Sequence, residues 1–132
     1  MNNSKTDCLI IDDDPEICTI LKIYCERLGH FRNIIVSNDG LSGCNMLRNQ
    51  KFGLVLLDIN IPKKSGLEVL TELKLGRVNS VSDVVVISGE IDINKVTTFM
   101  SEGVKRFITK PFLEAQFKEK VLPVLEKNLK DK

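Results

Sequence analysis

Short apolar runs and helix-spaced apolar positions take turns along this chain. The runs are DCLII at residues 7 to 11, NIIV at 33 to 36, LVLL at 54 to 57, VVVI at 84 to 87 and RFIT at 106 to 109. LVLL and VVVI have no polar face and are too short for helices, which suits strands buried on both sides of a parallel sheet. After the first run, Pro15 opens a segment with Ile17, Ile20, Leu21, Tyr24 and Leu28 on one helical face, and Gly29 stops it. Ser37 to Gly40 reads as a turn, followed by a helix from Leu41 to Leu47 with Leu41, Cys44 and Leu47 inward. Leu67, Val69, Leu70 and Leu73 mark a third helix. Asp92 or Asn94 caps a fourth, carrying Ile93, Val96, Phe99 and Met100 and ending at Gly103. The last runs from about Leu113 to Lys130 with Phe117, Val121, Val124, Leu125 and Leu129 as its apolar positions. Pro123 falls inside it, and an interior proline costs about 3 kcal/mol, so a kink or break is expected there.

Five alternations of strand and helix imply an α/β fold, because parallel strands need crossover connections that place helices on the sheet faces. The expected form is a doubly wound five-stranded parallel sheet of flavodoxin-like type. In the order 2-1-3-4-5, the chain reverses direction between strands 1 and 3, and the carboxyl ends of these strands meet in one crevice.

At 132 residues the chain is expected to be a single domain, with residues 1–6 flexible, 128–132 frayed and no effector domain. The net charge of +1, from 19 basic and 18 acidic residues, gives no reason to expect nucleic acid or an anionic membrane as partner. The segment MNNSKTD has no apolar signal core, so a soluble cytoplasmic protein is expected. Cys8, Cys18, Cys25 and Cys44 form no CxxC pair, and His30 is the sole histidine, which argues against a zinc site and for buried free thiols.

The candidate chemistry lies where the apolar runs stop. Asp12 and Asp13 follow the first, Asp58 ends the third, Ser88 the fourth, and Lys110 the fifth. The expected strand order brings them to one rim. Three crowded carboxylates raise one another's pKa unless a cation neutralises them, and hard oxygen ligands suit Mg²⁺, with Mn²⁺ as a substitute. A carboxylate, a divalent cation, a lysine and a hydroxyl are the parts needed to place a phosphoryl group on Asp58, since in-line transfer asks mainly for positioning and charge neutralisation. An ionised carboxylate needs no general base.

Through LIIDDDP, LVLLDINIPKKSG, VVVISGE and FITKPF, the chain resembles a response-regulator receiver domain of the CheY-like kind over nearly its whole length. The resemblance implies that Asp58 is the phosphoacceptor and that Asp13 binds the metal directly with Asp12 assisting. It also implies that the backbone carbonyl of Asn60 is a further ligand, and that Lys110 bridges to the phosphoryl group before a cis peptide to Pro111. Ser88 and Phe107 occupy the switch positions, and Asn60 and Glu90 the positions that tune phosphate lifetime. Asp14 is left as a turn or cap residue, and Gly89 replaces the family's usual alanine, which adds backbone freedom. The implied output surface is helix 4, strand 5 and helix 5. The implied partners are a sensor histidine kinase or a histidine phosphotransfer protein upstream and a protein target downstream, with a monomer or weak phosphorylation-dependent dimer.

Two other classes fit the residues less well. A flavin mononucleotide protein of the same fold needs a Ser/Thr/Gly-rich phosphate loop where three aspartates stand, and a haloacid dehalogenase phosphatase carries its nucleophile on the first strand as DxD. Three readings stay open: a chemotaxis-type regulator, which is favoured; a relay intermediate docking through Ile17, Cys18 and Leu21; and a phosphorylation-independent interaction module.

Overall fold

The computed structural model describes residues 5–89 and 93–130, without the side chains of 129 and 130. The strands are β1 (Thr6–Ile11), β2 (Phe31–Ser37), β3 (Leu54–Asp58), β4 (Val84–Ser88) and β5 (Arg106–Thr109). The helices are α1 (Pro15–Leu28), α2 (Gly40–Asn49), α3 (Gly66–Gly76), α4 (Ile93–Ser101) and α5 (Glu114–Lys130). The sheet is parallel throughout, as the alternation implies, and has the expected order β2-β1-β3-β4-β5.

Alternate strand residues feed two cores, because successive side chains point to opposite faces. Cys8, Ile10, Leu54, Leu56, Val85 and Ile87 pack with α1 and α5, while Leu9, Ile11, Val55, Leu57, Val84 and Val86 pack with α2, α3 and α4. Every residue of β3 and β4 is buried, so both strands lie in the middle of the sheet with helices above and below.

Several helices sit differently from their expected faces. On α1 the buried line is Cys18, Leu21 and Cys25, while Ile20 is 38% exposed. The small thiols let α1 approach the sheet closely, and Cys25 Sγ lies 3.8 Å from Cys8 Sγ on β1. All four cysteines are free and buried. On α2, Leu41 faces outward and Gly43 takes the inner position, where a Cβ would fall 2.7 Å from Ile11 Cδ1. On α4 only Phe99 is buried; Ile93 and Met100 are 74% and 58% exposed. Asp92, one of its two expected caps, lies outside the described residues.

Of the kink or break expected at Pro123, the break does not occur: α5 runs unbroken past the proline, which sits on the exposed side. Val121, Val124 and Leu125 are buried on the inner side, and burial of about 1.5–3 kcal/mol for each such side chain exceeds the proline's penalty. The end of the helix is also tied down. Asp83, 1% exposed, receives Lys51 Nζ at 3.0 Å, Lys127 Nζ at 3.2 Å and Asn128 Nδ2 at 3.0 Å. Asn128, expected to fray, also donates to Gly53 O at 2.9 Å. Thr6, expected to be flexible, already belongs to β1. Leu129 is helical, but its side chain lies outside the described ones.

Candidate phosphoacceptor site

The register of the sheet delivers the site. Ile11 pairs with Leu57, so the next residues of their strands, Asp12 and Asp58, lie side by side. Asp58 pairs with Ile87 and Ser88 with Thr109, which puts Ser88 and then Lys110 along the same rim. Asp58 and Ser88 are the last residues of β3 and β4, and Asp12 and Lys110 directly follow β1 and β5.

Asp12 and Asp58 are 0% and 5% exposed, while Asp13 faces solvent. One carboxylate oxygen from each lies within 4.8 Å of the others. Lys110 Nζ stands 3.1 Å from Asp12 Oδ2 and 3.1 Å from Asp58 Oδ2. Its backbone is fixed by a 2.7 Å hydrogen bond from Lys110 N to Ser88 O, and the Lys110–Pro111 peptide is cis. The other carboxylate oxygens accept local amides: Asp14 N at 2.9 Å on Asp12 Oδ1 and Asn60 N at 3.1 Å on Asp58 Oδ1. Asp14 itself caps α1, accepting from Glu16 N at 2.9 Å.

Burial, then repulsion from Asp12, raises the Asp58 pKa above its ordinary value, against the pull of Lys110 and the Asn60 amide. Burial works to lower the Lys110 pKa, but contact with Asp12 and Asp58 more than offsets it, so the lysine is held charged. Three carboxylates face one ammonium. Asp12 Oδ2, buried, has the charge of Lys110 beside it but no aligned hydrogen-bond donor. That bare oxygen, with the exposed carboxylate of Asp13 leaving room for water, fits a hard divalent cation such as Mg²⁺. Cys18 Sγ contacts Asp12 O at 3.2 Å, and burial followed by the nearby aspartates pushes its thiol up to about 11, so it supplies no thiolate at neutral pH.

The loop after Asp58 is held by two glycines. Gly66, the first residue of α3, lies so close beneath the acceptor strand that a Cβ would fall 2.9 Å from Asp58 O. Gly40, at the start of α2, donates its amide to Pro62 O at 3.1 Å and abuts Lys64. Between them Lys63 adopts φ 70 and pairs with Asp39 at 3.5 Å. Ser65 and Glu68 close a capping box on α3. Sequence reasoning missed Gly40, although the Asp-Gly pair opening a helix was a signal for close approach. It also missed Lys95, whose Nζ donates to Asn60 Oδ1 at 3.1 Å across the rim.

Ser88 is buried at the end of β4. Phe107 is half-buried and packs against the core beneath α2, α3 and α4. Glu90 lies outside the described residues.

A buried carboxylate at the switch point of a doubly wound sheet, with two further carboxylates and a bridging lysine, makes an acidic cleft of the kind that open α/β sheets use to bind ligands. Residues 8–122 match the response regulator receiver domain, and the chain belongs to that family. It is 30% identical over 125 residues to chemotaxis protein CheY-3 of Vibrio cholerae, covering 95% of both chains. It is 33% identical over 104 residues to the transcriptional regulatory protein MalR of Bacillus subtilis, matching 79% of this chain but only 43% of that protein. A CheY-like receiver domain protein from Methanospirillum hungatei JF-1 superposes with TM-score 0.84 at 25% identity, over 98% of this chain and 100% of that one. The receiver domain of a Pseudomonas aeruginosa PAO1 sensor histidine kinase, solved with a magnesium ion in its active-site cleft, superposes with TM-score 0.78 at 18% identity, over 92% of this chain and 98% of that one.

Receiver domains act in two-component signalling as phosphoacceptor regulators and not as enzymes with a separate substrate. They bind Mg²⁺ in an acidic pocket and interact with histidine kinases and downstream targets. Among the described residues no helix is long and apolar enough to cross a membrane.

Proposed function

We propose that Asp58 accepts a phosphoryl group from a histidine kinase or histidine phosphotransfer protein, and that the aspartyl phosphate switches a partner-binding surface. The observation that carries this is the placement of Lys110 Nζ 3.1 Å from both Asp12 and Asp58. An ammonium there neutralises an incoming phosphoryl oxygen without moving. Asp58 Oδ forms the new bond to phosphorus while the bond to the donor nitrogen breaks, its electron pair returning to the imidazole. Asp12, Asp13, Asp58 and the Asn60 carbonyl would hold Mg²⁺, which when bound offsets the carboxylate charge and that of the transferring oxygens. Ser88, at the end of β4, is placed to hydrogen-bond the phosphoryl group, and Phe107 to report it toward α4, β5 and α5 by repacking. Phe107 lacks a hydroxyl, so such a switch is a packing event.

The match to CheY-3 over 95% of both chains favours a chemotaxis-type regulator in the cytoplasm, acting as a monomer or weak phosphorylation-dependent dimer. A relay role has one observation in its favour: Ile20 and Ile23 on α1 are 38% and 44% exposed, while Cys18 and Leu21, expected in that docking face, are buried.

Incubation with acetyl phosphate and Mg²⁺, read by intact mass, tests the reading. One added phosphoryl group is expected, absent with EDTA and absent in Asp58→Ala. No adduct under conditions that label another receiver would leave a phosphorylation-independent binding module.

A further inference from the structure

A groove of about 270 Å³ separates the loop after Asp58 from α4, with Ile59, Leu67 and Phe99 among its apolar lining. Lys95 and Asn60 also line it, and the 3.1 Å hydrogen bond between them links its two sides. Asn60 is held at both ends. Its amide N–H donates to Asp58 Oδ1 at 3.1 Å, while its side-chain carbonyl is engaged by an ammonium from another element. The backbone is therefore fixed to the acceptor carboxylate, and the carboxamide oxygen is directed to Lys95 on α4.

We propose that Lys95 is a positioning residue for loss of the phosphoryl group, acting through Asn60 and thereby coupling α4 to the chemistry at Asp58. This rests on Asp58 being the phosphorylated residue. In the hydrolysis, water oxygen bonds to phosphorus and the phosphorus–oxygen bond to Asp58 breaks. Its electron pair returns to the carboxylate, and both water protons leave with inorganic phosphate. The water must approach opposite Asp58, through the solvent-facing mouth where Asn60 lies. While Lys95 holds the carboxamide, that water has no Asn60 side chain to orient it. When Lys95 lets go, the carboxamide is free to turn over the mouth and offer both a donor and an acceptor to the water. A partner that takes up Lys95 when it binds α4 would shorten the life of the phosphorylated state.

The test is the decay of phosphorylated wild type, Lys95→Met, Lys95→Arg, Asn60→Ala and Lys95→Met/Asn60→Ala, labelled with acetyl phosphate and Mg²⁺ and followed by intact mass. Lys95→Met should decay about three- to tenfold faster, the span corresponding to the net worth of one ordinary hydrogen bond. Lys95→Arg, which keeps a donor, should decay as wild type, and Lys95→Met should have no effect once Asn60 is alanine. Decay of Lys95→Met at or below the wild-type rate, or an acceleration that persists undiminished without Asn60, overturns the proposal. In the unphosphorylated protein the side-chain amide resonances of Asn60 should move in Lys95→Met and stay in place in Lys95→Arg; unmoved resonances in Lys95→Met also overturn it. Failure of the wild type to label would appear before any decay is read, and would count against Asp58 as acceptor.

Discussion

Gly40 and Lys64 touch with no room for a methyl group: a Cβ on Gly40 would lie 2.4 Å from the Lys64 carbonyl oxygen and 2.6 Å from Lys64 Cβ. The loop that follows Asp58 thus takes its shape from the first residue of α2. Gly40→Ala should displace that loop, destabilise the protein by about 1–3 kcal/mol as overpacking does, and slow acetyl phosphate labelling. Urea unfolding and the labelling rate check the two parts separately.

Asp13 is the exposed member of the acidic cluster, so its charge contributes little to the metal-free fold. Asp13→Asn should leave metal-free stability within about 0.5 kcal/mol of wild type and remove most of the rise in Tm that Mg²⁺ gives the wild type by binding the native state. Thermal melts with Mg²⁺ and with EDTA make the comparison. An undiminished Mg²⁺ response would exclude Asp13 as a ligand.

The elevated Asp58 pKa carries a sign. The folded state holds this proton more tightly than the unfolded chain, so metal-free stability falls as pH rises from the ordinary value of 3.8 through the elevated folded value, and remains lowered at neutral pH. Asp58→Asn should therefore be more stable than wild type at pH 7 in EDTA, with Tm higher by roughly 3 °C for each kcal/mol relieved, and the difference should vanish below the ordinary carboxylate range. Lys110 has a dependence of the same sign at higher pH: its raised pKa stabilises the fold below its ordinary value of 10.5, and this is lost as pH rises past the folded one.

At the other end of the sheet, Asp83 is buried beneath Lys51, Lys127 and Asn128. Asp83→Ala removes a buried carboxylate but leaves Lys51 and Lys127 able to reach water, at 57% and 36% side-chain exposure, and should cost about 1–3 kcal/mol. Because both Lys127 and Asn128 belong to α5, the loss should appear first as fraying of that helix, seen in amide exchange of its last turns.

Pro123 withholds one amide from α5 on its exposed face. Pro123→Ala should restore a hydrogen bond and stabilise the protein by about 1 kcal/mol or more. A chemical denaturation curve with a raised midpoint and unchanged slope is the expected result.

The sheet and its site were legible because the central strands β3 and β4 are apolar runs that end on Asp58 and Ser88, β1 is apolar up to Asp12, and these ends point one way. DCLII, LVLL and VVVI state both the strand and its limit, so Asp12, Asp58 and Ser88 could be placed from spacing alone. Helix faces were less legible. In α1 and α2 the inner positions belong to cysteines and glycine, whose small size matters only once the distance between helix and sheet is known, so larger residues such as Ile20 and Leu41 appeared to be core. Proline at 123 does not break the helix for a related reason: its penalty is local, while the burial of Val121, Val124 and Leu125 that outweighs it is tertiary. Neither the grip of Asp83 on α5 nor the bond from Lys95 to Asn60 has a sequence signal, since each joins residues more than thirty positions apart.

The single buried side chain of α4, Phe99, has a consequence for how the molecule opens. An element with so little apolar surface in the core detaches at a small fraction of the global unfolding free energy. Its amides should exchange with solvent long before those of β3 and β4, whose every residue is buried. A helix that exposes Ile93 and Met100 and is held inward by one phenylalanine is a facet the protein can re-seat against the sheet without loosening the rest of the structure.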